Sequence, residues 1–247
     1  MGAAQRRAAR RGVPIYCWHS LGPPPDGARD PFLYVSGAEF DRQLGLLNER
    51  GFRSVTLSES RSFVPGNAAV LTFDDGCRNV MRHGMKPLAK HGMTAIQFIV
   101  AGLIGGKNDW DVKHGETPEQ LMDEAEIRDW LAAGHEIGSH TVTHRNLANR
   151  AEAEAREQIF SSKKMLEDTF QLPVRHFCYP HGRWTPRVAE LVAEAGYETA
   201  CTTKFGVSTP GDTPHRLPRI FPLSTSELAG KAAHRLARRL TSLRNVR

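Results

Sequence analysis

The sequence predicts an α/β fold built on a parallel sheet, and three observations support this class. Short apolar or β-branched runs alternate with helical patterns, and glycines close several of the helical stretches just before the next run. The 247 residues are 40% hydrophobic, which is enough apolar material for one large core. Strand–helix alternation of this kind is typical of βαβ units, in an open sheet or in a closed barrel. Both architectures place functional groups at the carboxyl ends of the strands.

Seven segments have the length and boundaries expected of buried strands. In chain order they are Ile15–Trp18, Ser54–Leu57, Ala69–Phe73, Thr94–Val100, His135–Gly138, His176–Tyr179 and Glu198–Thr202. A count of seven does not by itself decide between an open sheet and a barrel.

The helices between these strands have recognisable ends. Ser36, followed by Glu39 three residues later, predicts a capping box at the start of one helix. Thr185 and Pro186 supply an N-cap and a first-turn proline for another. Glycine at a helix end can adopt a left-handed backbone without a Cβ clash. The glycines expected to close helices are Gly51, Gly92, Gly134 and Gly196.

The net charge of +6 comes from the two ends of the chain. Residues 1–12 contain four arginines and residues 228–247 contain six basic residues, with no acid in either segment. The remaining 23 basic residues against 27 acidic ones give the body a charge of about −4. We therefore divide the chain into a basic arm (1–12), a main domain (13–222) and a basic amphipathic helix (223–247). This distribution argues against a nucleic-acid groove. The terminal helix could pack on the body or make a weak contact with an anionic membrane or glycan.

The sequence contains no membrane-span pattern, and its basic N-terminus is not followed by a long apolar stretch of the kind found in signal peptides. The four cysteines, at positions 17, 77, 178 and 201, are scattered, which fits reduced thiols rather than a disulfide scaffold. We expect an uncleaved, cytoplasmic protein.

Two adjacent carboxylates, Asp74 and Asp75, follow the apolar run Ala69–Phe73 and precede Gly76. Adjacent like charges repel, and a cation bound by one carboxylate relieves the repulsion while the other remains available as a base. Taken alone, Asp-Asp-Gly is equally typical of an ordinary turn.

A second polar element begins at another predicted strand end, with His140 and His144 four residues apart. On one side of a helical turn both imidazoles can reach a single ion. With Asp75 they form a two-histidine, one-carboxylate site that suits zinc and also iron(II). Asp74 beside this site favours hydrolysis over oxygenase chemistry, because activation of water requires a base. Protonation of a leaving amine requires an acid, for which His19 is the candidate; a partly buried histidine without a catalytic role is the alternative.

Together these residues resemble the NodB-type polysaccharide deacetylases. The segments Thr72–Gly76, His140–His144 and Phe177–Gly182 look like the first three motifs of that family, and the resemblance extends over about residues 13–222. It implies a distorted (β/α)7 barrel, Asp74 as the catalytic base, and Asp75, His140 and His144 as ligands of a divalent metal, most simply Zn²⁺. It also implies that the backbone N–H of His181 stabilises the oxyanion.

The sequence departs from the common family pattern at two positions. Cys178 occupies the place of an arginine that steers the catalytic aspartate, and a C-terminal Leu-x-His acid motif is absent. The chain is more similar to the poly-N-acetylglucosamine deacetylase-like and exopolysaccharide-cluster subgroup, in which an N-terminal histidine, matched by His19, supplies the acid. For the missing arginine we expect Arg219 to orient Asp74, with a plain structural ion pair as the alternative.

The sequence thus predicts a metal-dependent hydrolase that removes N-acetyl groups from an N-acetylated glycan or glycan precursor. Trp110 and Tyr179 are the candidate substrate contacts. Two alternatives remain open: hydrolysis of another non-peptide C–N bond, such as that of a cyclic amide, and a carbohydrate-binding relative with impaired catalysis.

Overall fold

The computed structural model describes residues 12–28, 30–62, 66–115 and 117–222. Its strands are β1 (Ile15–Trp18), β2 (Ser20–Leu21), β3 (Tyr34–Val35), β4 (Phe52–Ser54), β5 (Asn67–Phe73), β6 (Ile96–Ile99), β7 (Glu136–Ser139), β8 (His176–Cys178), β9 (Thr199–Phe205) and β10 (Leu217–Arg219). Its α-helices are α1 (Gly37–Glu49), α2 (Leu57–Ser60), α3 (Arg78–Lys90), α4 (Glu124–Ala132), α5 (Glu152–Phe170) and α6 (Pro186–Glu194). The basic helix expected over 223–247, and all but the last residue of the basic arm expected over 1–12, lie outside the described residues.

Seven parallel strands form the main sheet, in the order β1-β5-β6-β7-β8-β9-β10, and β4 pairs with the first half of β5. The first and last strands also meet. The Cys17 N–H donates to the Ile220 carbonyl at 2.9 Å, and the Ile220 N–H donates to the Ile15 carbonyl at 2.8 Å. These bonds make the sheet a nearly closed barrel, which confirms the barrel expected from the family resemblance.

Residues of β5 alternate between the barrel interior and the surrounding helices. Leu71 and Phe73 belong to a large core that also includes residues of the helices, whereas Val70 belongs to a smaller cluster. The smaller cluster draws residues from strands all round the barrel, so it is the interior. It comprises Val13, Ile15, Val55, Leu57, Ala68, Val70, Ile96, Phe98, Cys178, Cys201 and Leu217. Continued past Val70, the same alternation directs Thr72 and Asp74 into the barrel mouth.

The predicted helix ends agree with the structure. The Ser36 hydroxyl accepts the Glu39 N–H at the start of α1, and the Thr185 hydroxyl accepts the Val188 N–H at the start of α6. The four closing glycines all have positive φ, between 60° and 85°. At these positions a residue without Cβ avoids the strain of the left-handed conformation.

Two strand predictions need correction. The run Ser54–Leu57 was expected to be a strand, but β4 ends at Ser54 and Leu57 begins α2. Thr56 and Glu59 form a complete capping box there, which ends extended structure and starts the helix. The strand β10 was not predicted; Pro218 lies at its centre, and proline is normally a mark against a central strand.

None of the described helices combines the length and the apolar composition that a membrane span requires.

Candidate active site

The polar residues singled out in the sequence lie at the carboxyl ends of the barrel strands. His19 follows β1, Asp74 follows β5 and His140 follows β7, while Cys178 and Arg219 are the last residues of β8 and β10. Because all these strands are parallel, their carboxyl ends open at the same mouth of the barrel.

Three buried side chains converge on one point. The Nε2 atoms of His140 and His144 both lie 3.4 Å from Oδ1 of Asp75, and the three atoms lie within 4.8 Å of one another. Ligand atoms of a tetrahedral zinc site are about 3.3 Å apart, given bonds of about 2.0–2.1 Å. The observed spacing therefore fits a small divalent cation held between the three groups.

The hydrogen bonds and pKa values of the two imidazoles bear on whether a cation can bind between them. His140 donates its Nδ1 hydrogen to the Cys178 carbonyl at 2.7 Å, so its Nε2 lone pair faces the Asp75 carboxylate. A lone pair opposite a carboxylate oxygen is unfavourable unless a proton or a metal ion lies between them. Burial lowers the pKa of His140, but the hydrogen bond to Asp75 and the charges of Asp74 and Asp75 outweigh this effect and raise the pKa, which favours a proton at Nε2 unless a cation replaces it. Burial lowers the pKa of His144 to about 4, which keeps that ring neutral, the form that binds metals.

The backbone around these ligands is strained. Four non-glycine residues at the site have left-handed φ: Asp75 (76°), Thr141 (70°), His144 (57°) and His181 (56°). The expectation that His140 and His144 share a helical turn is therefore wrong; they meet because two left-handed residues fold the loop back. The Thr141 hydroxyl accepts the His144 N–H at 3.0 Å and closes this loop. Such conformations cost about 1–3 kcal/mol each and cluster at functional sites.

Asp74 is held by a fully buried arginine. Nη1 and Nη2 of Arg219 each donate to one carboxylate oxygen of Asp74 at 2.7 Å. The guanidinium also donates from Nε to the Thr202 carbonyl, at 2.9 Å, and from Nη1 to the Thr72 hydroxyl, at 3.2 Å. Burial alone would raise the pKa of Asp74, but the charge of Arg219 and its hydrogen bonds outweigh this effect and hold the pKa well below the usual range.

Two thiols complete the surroundings of Asp74. The Sγ atoms of Cys17 and Cys178 lie 3.6 and 3.5 Å from Oδ2 of Asp74. Burial raises the pKa of both thiols well above the usual value, so both remain S–H groups that can donate weakly to the carboxylate. Cys178 lies at the position where the family pattern has an arginine, and its Sγ is 3.2 Å from Nη2 of Arg219. The small side chain leaves space for a guanidinium that arrives from β10.

His19 lies on the open side of Asp74. Its Nε2 is 3.8 Å from Oδ2 of Asp74, and 21% of its side chain is exposed. It is therefore close to the reacting groups and accessible from solvent, as a proton donor to a leaving group must be.

Trp110 packs on a candidate metal ligand. Its ring stacks on that of His144 with a centroid distance of 4.1 Å. Among the described residues Nδ1 of His144 has no hydrogen-bond partner, so the ring is oriented by this stacking and by the contact of its Nε2 with Asp75. His181 meets the same ring edge-on at 4.7 Å.

Tyr179 does not lie in the site. Its side chain is fully buried and its hydroxyl donates to the His215 carbonyl at 2.9 Å. The expectation that Tyr179 contacts substrate is corrected accordingly: the alternation of β8 directs Cys178 into the barrel and Tyr179 away from its mouth.

Sequence reasoning missed the contacts of Cys17 and Cys178 with Asp74. A signal was available for both. Cys17 lies on β1 two residues after Ile15, a residue of the barrel interior, and alternate residues of a strand share a face. Cys178 lies near the end of the predicted strand His176–Tyr179, and the carboxyl ends of parallel strands meet at the mouth that also holds Asp74.

Comparisons with known proteins find relatives of this chain in sequence and in fold. A family model described as polysaccharide deacetylase matches residues 63–200. The protein YxkH of Bacillus subtilis (strain 168), named as a polysaccharide deacetylase, is 26% identical over 214 residues, 84% of this chain and 70% of that protein. A poly-beta-1,6-N-acetyl-D-glucosamine N-deacetylase of Staphylococcus aureus (strain MRSA252) is 22% identical over 201 residues, 76% of this chain and 67% of that protein. The solved structure of IcaB from Ammonifex degensii superposes with a TM-score of 0.76 at 26% identity, covering 90% of this chain and 97% of that one.

Proposed function

Because the chain belongs to the polysaccharide deacetylase family, we propose that it is a metal-dependent hydrolase that removes the acetyl group from an N-acetylated sugar of a glycan or glycan precursor. The observation that carries this proposal is the convergence of Asp75, His140 and His144 next to a second, separately anchored carboxylate, Asp74.

The donor set of one carboxylate and two imidazoles, which bind a metal in their neutral form, suits Zn²⁺ and leaves positions for water and substrate. A cation held there would supply Lewis acidity for the acetyl carbonyl and lower the pKa of a bound water toward about 7.

The protein's own groups perform the proton transfers. Asp74, kept ionised by Arg219, accepts the proton of the attacking water on a carboxylate oxygen. His19 donates a proton from Nε2 to the amine nitrogen as it leaves, which is necessary because an unprotonated amine leaves poorly. The backbone N–H of His181 donates a hydrogen bond to the acetyl oxygen as negative charge develops on it.

The first test measures metal and product separately. Purified wild-type protein should contain about one divalent ion per chain by mass spectrometry, and His144→Ala should contain none. Wild-type protein should release acetate from N-acetylglucosamine oligosaccharides, and the variant should not. A protein that binds no metal after incubation with zinc would rule out the metal mechanism. A metal-loaded protein that releases no acetate from any N-acetylated sugar would rule out the deacetylase activity.

A further inference from the structure

A groove of about 760 Å³ extends from the candidate metal site across the loops that follow β7 and β8. His144 and His181 form part of its wall, so the groove is continuous with the place where an acetyl group would react. Its volume is far larger than an acetyl group requires and lies in the range of sites that hold whole small molecules.

Three arginines dominate the charge of this groove. Arg145 directly follows the ligand His144, Arg183 lies two residues after His181, and Arg150 closes the loop after β7. Asp109 is the acid among the lining residues. The groove is therefore strongly positive in a body whose overall balance is slightly acidic.

Two of these arginines have no acidic partner within the described part of the chain. Arg150 lies 3.6 Å from Glu154, but neither Arg145 nor Arg183 forms an ion pair with a described residue. Elsewhere on the surface some arginines are paired, as Arg187 is with three glutamates, and others, such as Arg53 and Arg82, form no ion pair with a described residue. Arg145 and Arg183 differ from these in that both line one groove. Unpaired guanidinium groups on both sides of a groove can each present a planar fork of donors to a carboxylate or phosphate.

We propose that this groove binds an anionic group of the substrate, so that the preferred substrate is an N-acetylhexosamine whose neighbouring sugar or linkage carries a carboxylate or phosphate. The inference rests on the proposed function for the identity of the reacting sugar, but the anion preference follows from the groove itself. Arg145 and Arg183 form the two contacts that provide it.

The test is a binding measurement on the full-length, zinc-loaded protein by isothermal titration calorimetry. One pair of probes is a tetrasaccharide of alternating N-acetylglucosamine and glucuronic acid against the uncharged N-acetylglucosamine tetrasaccharide. A second pair is N-acetylglucosamine 1-phosphate against N-acetylglucosamine. The first pair tests a carboxylate as the anion and the second tests a phosphate.

We expect at least one anionic probe to bind about tenfold more tightly than its neutral counterpart, and the preference to decrease as salt is raised. The double variant Arg145→Gln, Arg183→Gln should lose most of this preference. The matched control is Arg53→Gln with Arg82→Gln, which removes the same charge from two exposed arginines away from the groove.

Equal affinity for the charged and uncharged members of both pairs would overturn the inference, as would loss of the preference in the control variant to the same extent. Acetate release from the same probes tests the proposed function independently. If the anionic probes bind tightly but no acetate is released, the proposed deacetylase activity is wrong and the groove assignment stands. If acetate is released but the anionic probes bind no more tightly than the neutral ones, the groove assignment is wrong and the deacetylase activity stands.

Discussion

At the scale of single residues, Asp74 and Asp75 show how neighbours in sequence acquire different roles. Asp75 faces two imidazoles, whereas Asp74 faces a guanidinium and two thiols. The left-handed φ of Asp75 separates the two carboxylates, because it turns the chain between them. One carboxylate is therefore available to a cation and the other to a proton.

We expect Asp74→Asn to retain metal and lose turnover. The amide keeps the shape of the carboxylate but cannot accept a proton from water, and a general base contributes about 10²–10⁴-fold to rate. Metal content by mass spectrometry should match that of the wild type, while acetate release should fall by at least a hundredfold. Asp75→Asn is the matched comparison and should lose metal as well. Activity above a tenth of wild type in Asp74→Asn would contradict the assigned base.

Arg219→Lys is expected to move the acid limb of the pH–rate profile to higher pH. Lysine keeps the charge but not the two-bond fork, so the pKa of Asp74 rises and the carboxylate becomes protonated at less acidic pH. The measurement is kcat/KM against pH for both proteins. An unchanged acid limb would assign Arg219 a purely structural role.

The ion pair between Arg219 and Asp74 also predicts that the stability of the protein depends on pH. The pKa of Asp74 is lowered in the folded state, so its contribution to stability is present above about pH 4, the unfolded pKa, and is lost as the pH falls toward the folded value. Arg219→Ala leaves a buried, unpaired carboxylate and should cost about 3–5 kcal/mol at pH 7. Denaturant unfolding should show this difference shrinking as the pH falls. The variant recovers stability first, because burial without a paired charge raises the pKa of Asp74 and the carboxyl becomes protonated in the folded state. Below about pH 4 the wild type in addition loses the contribution of its ion pair.

At the scale of elements, the order of strands and helices could be predicted from the sequence more accurately than the residues at which they begin and end. Caps and closing glycines predicted α1 and α6 because their signals are local. The short helix α2 has an equally local signal, the capping box of Thr56 and Glu59. It was missed because Val55 and Leu57 favoured a strand over the same residues. The position of β10 depends on its pairing with β9 and β1 across the closed barrel. No local sequence pattern around Pro218 predicts a strand there.

The loop of the third motif depends on a glycine. At Gly182, where φ is 66°, an added Cβ would lie 2.5 Å from the backbone nitrogen of Thr203. Gly182→Ala should therefore cost about 1–3 kcal/mol for the clash, in addition to about 1 kcal/mol for the positive φ, and should displace His181. Gly196→Ala isolates the backbone cost, because φ is 80° there and nothing lies within 4 Å. Equal unfolding free energies for the two variants would show that no clash occurs.

At the scale of the whole molecule, the barrel brings together groups that are distant in sequence. The candidate ligands were predictable as a set because each follows a strand, and parallel strands end at one mouth. The bond between Arg219 and Asp74 was expected because position 178 carries a cysteine in place of the family's arginine. No sequence pattern around position 219 predicted it. The side chains of Tyr179 and Trp110 could not be placed, because their contacts depend on which way the third motif and a surface loop turn.

Metal binding should stabilise the whole barrel. The ligands come from loops after β5 and β7, so a bound ion links segments that separate on unfolding. A hundredfold excess of zinc over its dissociation constant adds about 2.7 kcal/mol, or about 5–10 °C in Tm for a protein of this size. Differential scanning calorimetry should show this gain in the wild type and none in His140→Ala. A gain of the same size in both proteins would place the ion elsewhere.

Closure of the barrel has a consequence for the order in which the protein matures on the ribosome. The three candidate ligands lie at positions 75, 140 and 144, whereas the arginine that holds Asp74 ionised is at position 219, on the strand that completes the ring. On a nascent chain the candidate metal ligands are therefore all synthesised before the arginine that anchors Asp74. In the proposed mechanism, hydrolytic competence begins only when the last strand docks beside the first, so that activity itself reports a correctly closed barrel.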